Sequence, residues 1–160
     1  MNEMSKIVRT IASSIYAFIL VFGAYIILHG HLTPGGGFQG GAIISSAFAL
    51  LVVAYGSVRI KDIIKKKNLS VIESIGALGF VGLAFLGLGV VFFYNFLANS
   101  GGLFGNVVLF GANAGNLNTA GVIPLMNISV GLKVLAGIGI IVILMALGIN
   151  DKEEKGVETK

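Results

Sequence analysis

Cysteine is absent from the sequence, and its absence excludes disulfide bonds, thiolate metal sites, iron–sulfur ligation and cysteine nucleophiles. Charged residues are scarce as well: they make up 11% of the 160 residues, whereas an ordinary soluble domain carries about 25%. Hydrophobic residues make up 56% of the chain, and the mean hydropathy is +0.95. The composition therefore predicts an integral membrane protein without a soluble domain of useful size.

Four apolar stretches reach the length of about 20 residues that a helix needs to cross a bilayer. We therefore predict one all-α membrane domain over residues 1–149, with transmembrane helices at about residues 7–28, 38–55, 71–97 and 125–149. Residues 150–160 form a charged tail that we expect to be cytoplasmic and disordered. Residues 98–124 carry no charge and are rich in Gly, Asn and Ser, which favours an ordered extramembrane loop or a partly re-entrant one.

Basic residues are distributed asymmetrically about these spans. Ten of the eleven Lys and Arg residues flank the N-terminus, the segment between the second and third spans, and the C-terminus, all of which lie on one side if there are four spans. The positive-inside rule then predicts that both termini are cytoplasmic. Residues 59–70 hold five of these basic residues, and two structures are open for them: a short interfacial helix with Ile60, Ile63 and Ile64 on one face, or a solvated basic loop.

The eleventh basic residue, Lys133, lies inside the fourth span. A lysine near the middle of a bilayer costs about 2.5–3.5 kcal/mol on insertion scales. Ser129 and Gly137 lie four residues to either side, so this helix face is small and polar and should face protein or water rather than lipid. We predict that Lys133 lies on a proton or ion pathway or responds electrostatically to one; the alternative is that its side chain snorkels to the outer interface.

Three other titratable residues are candidates for the ion pathway. Glu73 is the only acid that could lie within a span, although Ser70-Val-Ile-Glu73 also matches a helix capping box. His29 and His31 titrate near neutral pH and are candidate proton carriers; the alternative is that they fix a loop by hydrogen bonding. Without a nearby carboxylate or thiol they would make a weak metal site, and we expect no metal.

Both histidines belong to the stretch His29–Gly41, HGHLTPGGGFQGG, which links the first two spans. Its glycines invite comparison with a phosphate-binding loop, but no Lys-Ser/Thr follows them and no strand precedes them. We expect the glycines to permit close helix contact, and Gln39 and Asn127 to satisfy freed backbone groups. Small residues at regular spacing predict further helix contacts at Gly41, Ser45 and Ala49 and at Gly76, Gly79 and Gly82.

The sequence has no nucleophile–base pair, paired carboxylates or nucleotide motif. We therefore expect no catalytic residues, no cofactor and no nucleic-acid partner.

The stretch HGHLTPGGGFQGG closely resembles the signature of the MnhB/MrpB family, one of the small membrane subunits of multisubunit Na⁺/H⁺ antiporters. Four spans and the chain length agree with that family. The resemblance implies a multi-pass subunit of the cell membrane, within a large complex that couples proton movement to sodium movement. Equivalent subunits occur in archaeal membrane-bound hydrogenase and sulfur-reducing complexes. The resemblance implies a structural or assembly role for the loop motif, which comprises Pro34, Gly35, Gly36, Gly37, Phe38, Gln39, Gly40 and Gly41.

The chain departs from the family at the start of the last span. The antiporter form typically reads Phe-Asp-Ile-Gly-Val there, whereas this chain reads Met126-Asn-Ile-Ser-Val130 and carries Lys133 further on. Replacement of the acid by Asn127 favours the hydrogenase-type complex and argues against an ion-pathway role at that position.

We therefore predict a non-catalytic membrane subunit of a cation/proton antiporter module, within a ferredoxin-dependent hydrogenase-type respiratory complex. It would help to form or border the ion route. Its partners would be the other membrane subunits, the lipid bilayer, and Na⁺ and H⁺ as the ions that the complex transports. The alternatives are the MnhB/MrpB subunit of a stand-alone Mrp-type Na⁺/H⁺ antiporter and a purely structural assembly subunit without ion contact.

Overall fold

The protein is a bundle of long helices, and the computed structural model describes residues 4–109 and 115–158. Four of its helices are long and apolar enough to cross a membrane, which confirms the prediction of an all-α, four-span membrane protein. A seven-residue helix follows the second span, and a short 3₁₀ turn at Gly87–Gly89 follows the third. The helices are α1 Lys6–Leu28, α2 Gly37–Tyr55, α3 Ser57–Ile63, α4 Lys66–Leu86 and α5 Ile123–Glu158.

The long helices pack in the order α1, α2, α5, α4, so α2 and α5 form the middle of the bundle. Glycines allow the backbones to approach closely, as expected where helices associate within a membrane. A Cβ atom at Gly41 would lie 2.8 Å from the carbonyl oxygen of Gly131, between α2 and α5. A Cβ atom at Gly40 would lie 2.7 Å from the carbonyl oxygen of Gly23, between α2 and α1. Side chains at these positions would force the helices apart.

A buried hydroxyl adds a polar link between α2 and α5. The Ser45 side chain is 1% exposed, and its Oγ lies 2.9 Å from the carbonyl oxygen of Gly41 and 2.9 Å from that of Leu135. The first bond lies within α2, and the second crosses to α5. Gly41 and Ser45 of the predicted small-residue ridge thus face α5, which confirms the ridge at those two positions.

The two ends of the bundle differ. At one end, which we call the basic end, the start of α1 meets the end of α2: the Met4 N–H donates to the Ala54 carbonyl at 3.1 Å. Helix α3 and the beginning of α4 lie at this end too, so the basic segments that begin these helices share it. The opposite end, which we call the loop end, holds residues 29–36, 90–109 and 115–122 and the start of α5. This segregation agrees with the predicted topology, while the side of the membrane on which the basic end lies stays a prediction.

The third span differs from its predicted bounds of 71–97. Helix α4 begins at Lys66 because Leu69, in its first turn, is 4% exposed and joins the core with Phe48 and Ile143. The helix ends at Leu86, and after the 3₁₀ turn the chain reverses so that the Phe93 N–H donates to the Ala84 carbonyl at 3.2 Å. The apolar residues beyond 89 therefore fold back instead of extending the helix.

The predicted capping box at Ser70 and Glu73 is wrong for the same reason. Ser70 lies inside α4, and its carbonyl accepts a hydrogen bond from the Ser74 hydroxyl at 2.9 Å. The helix has Lys65 at its N-cap position, where no side-chain hydrogen bond caps it. Glu73 is consequently the eighth residue of the helix and not one of its first turn.

Residues 57–63 form the short helix α3, so the helical alternative is the better of the two for this part of the segment, while its position at a membrane interface stays a prediction. The three isoleucines do not share one environment, however. Ile60 is 2% exposed and packs in the core, Ile63 is 66% exposed, and Ile64 has left the helix in an extended conformation.

Asparagine side chains organise the uncharged segment between α4 and α5. Asn95 donates through Nδ2 to the Ala120 carbonyl at 3.0 Å and accepts through Oδ1 from the Val122 N–H at 2.8 Å. Asn118 donates through Nδ2 to Asn106 Oδ1 at 2.9 Å and accepts from the Phe104 N–H. These amides replace the partners that a helix or sheet would supply, which confirms that the described part of the segment is ordered. Its depth relative to the membrane stays a prediction.

The predicted disorder of residues 150–160 is wrong over the part that the structure describes, since α5 continues to Glu158. The physical reason is that Lys and Glu, which dominate this tail, are strong helix formers. Residues 159 and 160 lie outside the described residues.

Candidate functional site

Lys133 and Glu73, two residues that the sequence singles out separately, form an ion pair between α5 and α4. Lys133 Nζ lies 3.7 Å from Glu73 Oε1. Lys133 is the eleventh residue of α5 and Glu73 the eighth of α4, so at about 1.5 Å per residue both lie well inside their helices. The pair is therefore a charged site between the two ends of the bundle. Within membrane-spanning helices, ionisable side chains are costly and commonly functional.

Small residues set the register of α4 against α5. A Cβ atom at Gly76 would lie 2.6 Å from the backbone nitrogen of Lys133, and one at Gly79 would lie 2.9 Å from Ser129 Oγ. Glu73 lies one turn nearer the basic end than Gly76. The Lys133 side chain therefore runs toward the basic end to reach its partner, not toward the loop end as snorkelling to the outer interface would require.

The predicted common face of Ser129, Lys133 and Gly137 is confirmed, and it faces α4. Ser129 lies beside Gly79, Lys133 beside Gly76, and Gly137 beside Glu73. A Cβ atom at Gly137 would lie 3.4 Å from Glu73 Oε1, so the absence of a side chain leaves room for the carboxylate. The Gly82 position of the predicted glycine stripe meets no atom within 4 Å, and the stripe therefore makes contact only at Gly76 and Gly79.

The ion pair lies at the edge of the α4–α5 contact. The Lys133 side chain is 51% exposed and that of Glu73 is 36% exposed. Lipid cannot solvate either charge, and a membrane protein therefore covers such groups with protein or water. One side of this pair is consequently left uncovered by the described part of the chain.

His29 belongs to the end of α1. It is the C-cap residue, its Nδ1 lies 3.0 Å from the Tyr25 carbonyl oxygen, and its ring stacks on the Tyr25 ring with centroids 3.9 Å apart. The carbonyl can only accept, so Nδ1 carries the proton. This geometry matches the loop-fixing alternative.

His31 lines a cavity of about 370 Å³ at the loop end, together with Asn95, Asn99 and Asn106. Both ring nitrogens are shielded from solvent and, among the described residues, make no well-aligned hydrogen bond. Burial lowers the pKa of His31 below its ordinary value, the neighbouring His29 lowers it further, and nearby backbone groups partly oppose the shift. His31 is therefore neutral near pH 7.

The histidines are not brought together with the charged pair, because they lie at the loop end while Glu73 and Lys133 lie between α4 and α5. Within the described ranges, no group of three side chains has the composition of a metal site.

The loop motif packs against the beginning of α5. Gly37, the first residue of α2, approaches the Asn127 backbone so closely that a Cβ atom would collide with its carbonyl oxygen. Gln39 accepts a hydrogen bond from the Gly36 N–H at 2.9 Å, which confirms its predicted role toward the backbone. The Asn127 side chain lies against Gly30 and Gly36, and its buried Nδ2 has no partner in the described chain. The role predicted for Asn127 toward freed backbone groups stays a prediction.

Neither the pairing of Glu73 with Lys133 nor the part played by the loop asparagines was predicted from the sequence. A signal for the pairing was available, since Glu73 lies three residues before Gly76 and Lys133 four after Ser129, each continuing a small-residue stripe. Nothing in the spacing of Asn95, Asn106 and Asn118 indicates which backbone groups they bind.

Known relatives agree with the fold. Over 90% of the chain, the structure matches a chain of the membrane-bound sulfane sulfur reductase, an archaeal respiratory membrane complex, with a TM-score of 0.73 and 34% sequence identity, and it covers 59% of that chain. An uncharacterized protein of Methanocaldococcus jannaschii is 38% identical over 147 residues, which are 91% of this chain and 53% of that protein. A Staphylococcus aureus protein named as antiporter subunit mnhB2 is 44% identical over 55 residues, 34% of this chain and 39% of its own length.

The chain thus spans between about two fifths and three fifths of the length of these relatives. A family model matches residues 7–140, which include the loop motif and both members of the charged pair, and it describes a domain related to the MnhB subunit of the Na⁺/H⁺ antiporter. Since this match takes in nearly all of the first span, all of the second and third, and most of the fourth, the chain is a multi-pass membrane protein that belongs to the MnhB-related family.

Proposed function

We propose that the chain is a non-catalytic membrane subunit of a multisubunit cation/proton antiporter module, and that Glu73 and Lys133 border the ion route of this module. Family membership supports the first part. The observation that carries the second is the charged pair, with opposite charges 3.7 Å apart in mid-helix and both side chains partly uncovered by the chain itself.

A respiratory complex is the setting that the comparisons favour. Similarity to a chain of the archaeal sulfane sulfur reductase extends over 90% of this chain, whereas similarity to the Staphylococcus aureus antiporter subunit extends over 34%. A hydrogenase-type complex, a sulfur-reducing complex and a stand-alone antiporter share the same kind of module, so the hydrogenase-type setting remains part of the proposal. We also propose that the basic end is cytoplasmic; a reporter fused after Lys160 should then be active on the cytoplasmic side.

Electrostatics give the pair a way to act on an ion. Two unit charges about 4 Å apart interact by about 4 kcal/mol in a medium typical of a protein surface. A sodium ion or a proton that approached Glu73 would compete with Lys133 for the carboxylate, because its interaction energy with the carboxylate would be similar. Lys133 would in turn repel a cation that stayed nearby. The pair would therefore bind a passing cation only transiently, as transport requires.

Substitution of either member tests the proposal in the intact complex. We expect Lys133→Ala and Glu73→Gln to leave assembly unchanged and to reduce Na⁺-dependent transport, measured in membrane vesicles by the dissipation of an imposed pH gradient. Lys66→Ala, which removes an exposed lysine at the basic end, is the matched control. Normal transport in both pair variants, with normal assembly, would show that the pair does not border the ion route.

The rival is a purely structural subunit, and the close packing of the loop motif against Asn127 favours it. It predicts that Gly37→Ala abolishes assembly of the complex while the Lys133 and Glu73 variants transport normally. A third possibility, a small stand-alone transporter, would require the purified chain alone to transport ions in proteoliposomes.

A further inference from the structure

Helix α4 is the last helix in the packing order of the bundle, and most of its surface is uncovered by the described chain. It packs mainly on α5. Large apolar side chains on its remaining surface are exposed, with Ile75 at 57% and Leu78 at 72%. Apolar side chains can face either lipid or another protein. The charged pair at the edge of the α4–α5 contact separates these two cases, because lipid cannot solvate a charge.

The hydrogen-bonding capacity of Lys133 is not used within the described chain. Its Nζ lies 3.7 Å from Glu73 Oε1, whereas a hydrogen bond between an ammonium and a carboxylate spans about 2.7–2.9 Å. The ammonium is also the less covered of the two charged groups, since the Lys133 side chain is 51% exposed and that of Glu73 is 36% exposed. A lysine ammonium has three N–H donors, so Lys133 can donate to an acceptor outside the described chain.

The depth of Lys133 excludes a lipid headgroup as this acceptor. The fourth span runs from Ile123 to Gly148. At 1.5 Å per residue, Lys133 lies about 15 Å from the first end of this span and about 22 Å from the second. Its side chain runs toward the basic end, which is the farther of the two. Headgroups border a hydrocarbon core about 30 Å thick, so the acceptor near mid-span belongs to protein.

We propose that a transmembrane helix of a partner subunit packs over the edge of the α4–α5 contact and places an Asp or Glu carboxylate against Lys133. Charge complementarity selects the carboxylate, because ionisable groups within membrane spans pair with one another and a carboxylate accepts charge-assisted hydrogen bonds from an ammonium. Small residues leave room for that helix: Gly137 and Ala77, one turn from Lys133 and Glu73 respectively, are only partly buried. The existence of a partner subunit rests on the proposed function, which this interface deepens.

Carbodiimide cross-linking of the intact complex tests the interface. Dicyclohexylcarbodiimide enters membranes and activates carboxyl groups, and an amine in contact with the activated group then forms an amide. We expect mass spectrometry of the digested complex to find Lys133 joined to an Asp or Glu in a membrane-spanning helix of another subunit. Lys133→Arg should lose this product, because it keeps the charge, and with it the fold, but removes the amine. Glu73→Gln, which removes the competing carboxylate of the same chain, should retain or increase it.

Three results would overturn the interface. The first is an amide between Lys133 and Glu73 of the same chain alone, or no amide at Lys133. The second is an amide to a carboxylate outside any membrane-spanning helix. The third is an interchain product that Glu73→Gln abolishes, because its carboxylate would then belong to a second copy of this chain.

Transport measurements separate this interface from the ion route. A buried carboxylate that loses its charged partner can take up a proton, so Lys133→Ala should still assemble. The interchain amide together with normal Na⁺-dependent transport in Lys133→Ala supports the partner carboxylate and refutes the ion route. Reduced transport in Lys133→Ala without the interchain amide supports the ion route and refutes the partner carboxylate.

Discussion

Gly76 offers the sharpest test of the α4–α5 contact that supports the charged pair. A Cβ atom there would lie 2.6 Å from both the Lys133 nitrogen and the Ser129 carbonyl oxygen, and ordinary contact begins at 3.4 Å, so Gly76→Ala requires α4 to move from α5 by about 0.8 Å. Overpacking of this kind costs about 1–3 kcal/mol. The displacement also changes the distance between Glu73 and Lys133, one turn away.

Gly82→Ala is the control, because Gly82 lies on the same helix and meets no atom within 4 Å. Both substitutions gain the same helix propensity, up to about 1 kcal/mol, so their difference isolates the backbone collision. We expect Gly76→Ala to be less stable than Gly82→Ala by about 1–3 kcal/mol, measured by reversible unfolding in mixed micelles. Equal stabilities of the two variants would refute the close contact and the register built on it.

Three further predictions concern individual polar groups. Because the folded state lowers the pKa of His31, its neutral form is favoured, and the free energy of unfolding should fall as the pH drops below about 6.5. Thermal unfolding between pH 7.5 and 5 should show this dependence in the unaltered chain and lose it in His31→Gln. The same pH profile in both proteins would contradict the prediction. Ser45→Ala should cost about 0.6 kcal/mol, the average for a hydrogen bond between membrane helices. Ser46→Ala should cost less, because the Ser46 hydroxyl bonds within its own helix, to the Ile43 carbonyl at 2.6 Å. Unfolding measurements that rank the two variants the other way would be inconsistent with the bond from Ser45 to Leu135. Asn95→Ala leaves the Ala120 carbonyl and the Val122 N–H without their partner, at a cost of about 1–3 kcal/mol. It should speed hydrogen exchange at the Val122 amide, whereas the control Asn99→Ala should not. Equal exchange rates in the two variants would rule out the bridging role of Asn95.

The four spans were predictable because apolar length and charge scarcity are properties of the sequence alone. The interior lysine could be recognised for the same reason, since Arg9, the other basic residue within a predicted span, lies close to the start of that span. The bounds of α4 were not predictable in this way. Its start depends on Leu69 packing against Phe48 and Ile143, and its end on a chain reversal that brings Phe93 back to Ala84.

The candidate site also combines features that the sequence predicts with features that depend on tertiary contacts. The sequence indicates that Lys133, Ser129 and Gly137 share a face, because helical periodicity is local. Which helix that face meets depends on register, and register is set by the contacts that Gly76 and Gly79 make with a helix far away along the chain. The partner of Lys133 therefore required the three-dimensional structure.

The ion pair adds little to the adhesion of α4 to α5. Gly76 and Gly79 already bring the backbones into contact at Lys133 and Ser129, and a close-packed small-residue interface of this kind suffices to associate membrane helices. Replacing an ion pair within a protein by packed apolar side chains is often neutral or stabilising. Lys133 and Glu73 lie at the edge of that contact, with side chains 51% and 36% exposed. They are therefore better placed to interact with groups outside the chain than to hold α4 and α5 together. Glycine and serine line the α4–α5 contact for the same reason, because small residues bring Glu73 and Lys133 within reach of each other while leaving both side chains partly exposed.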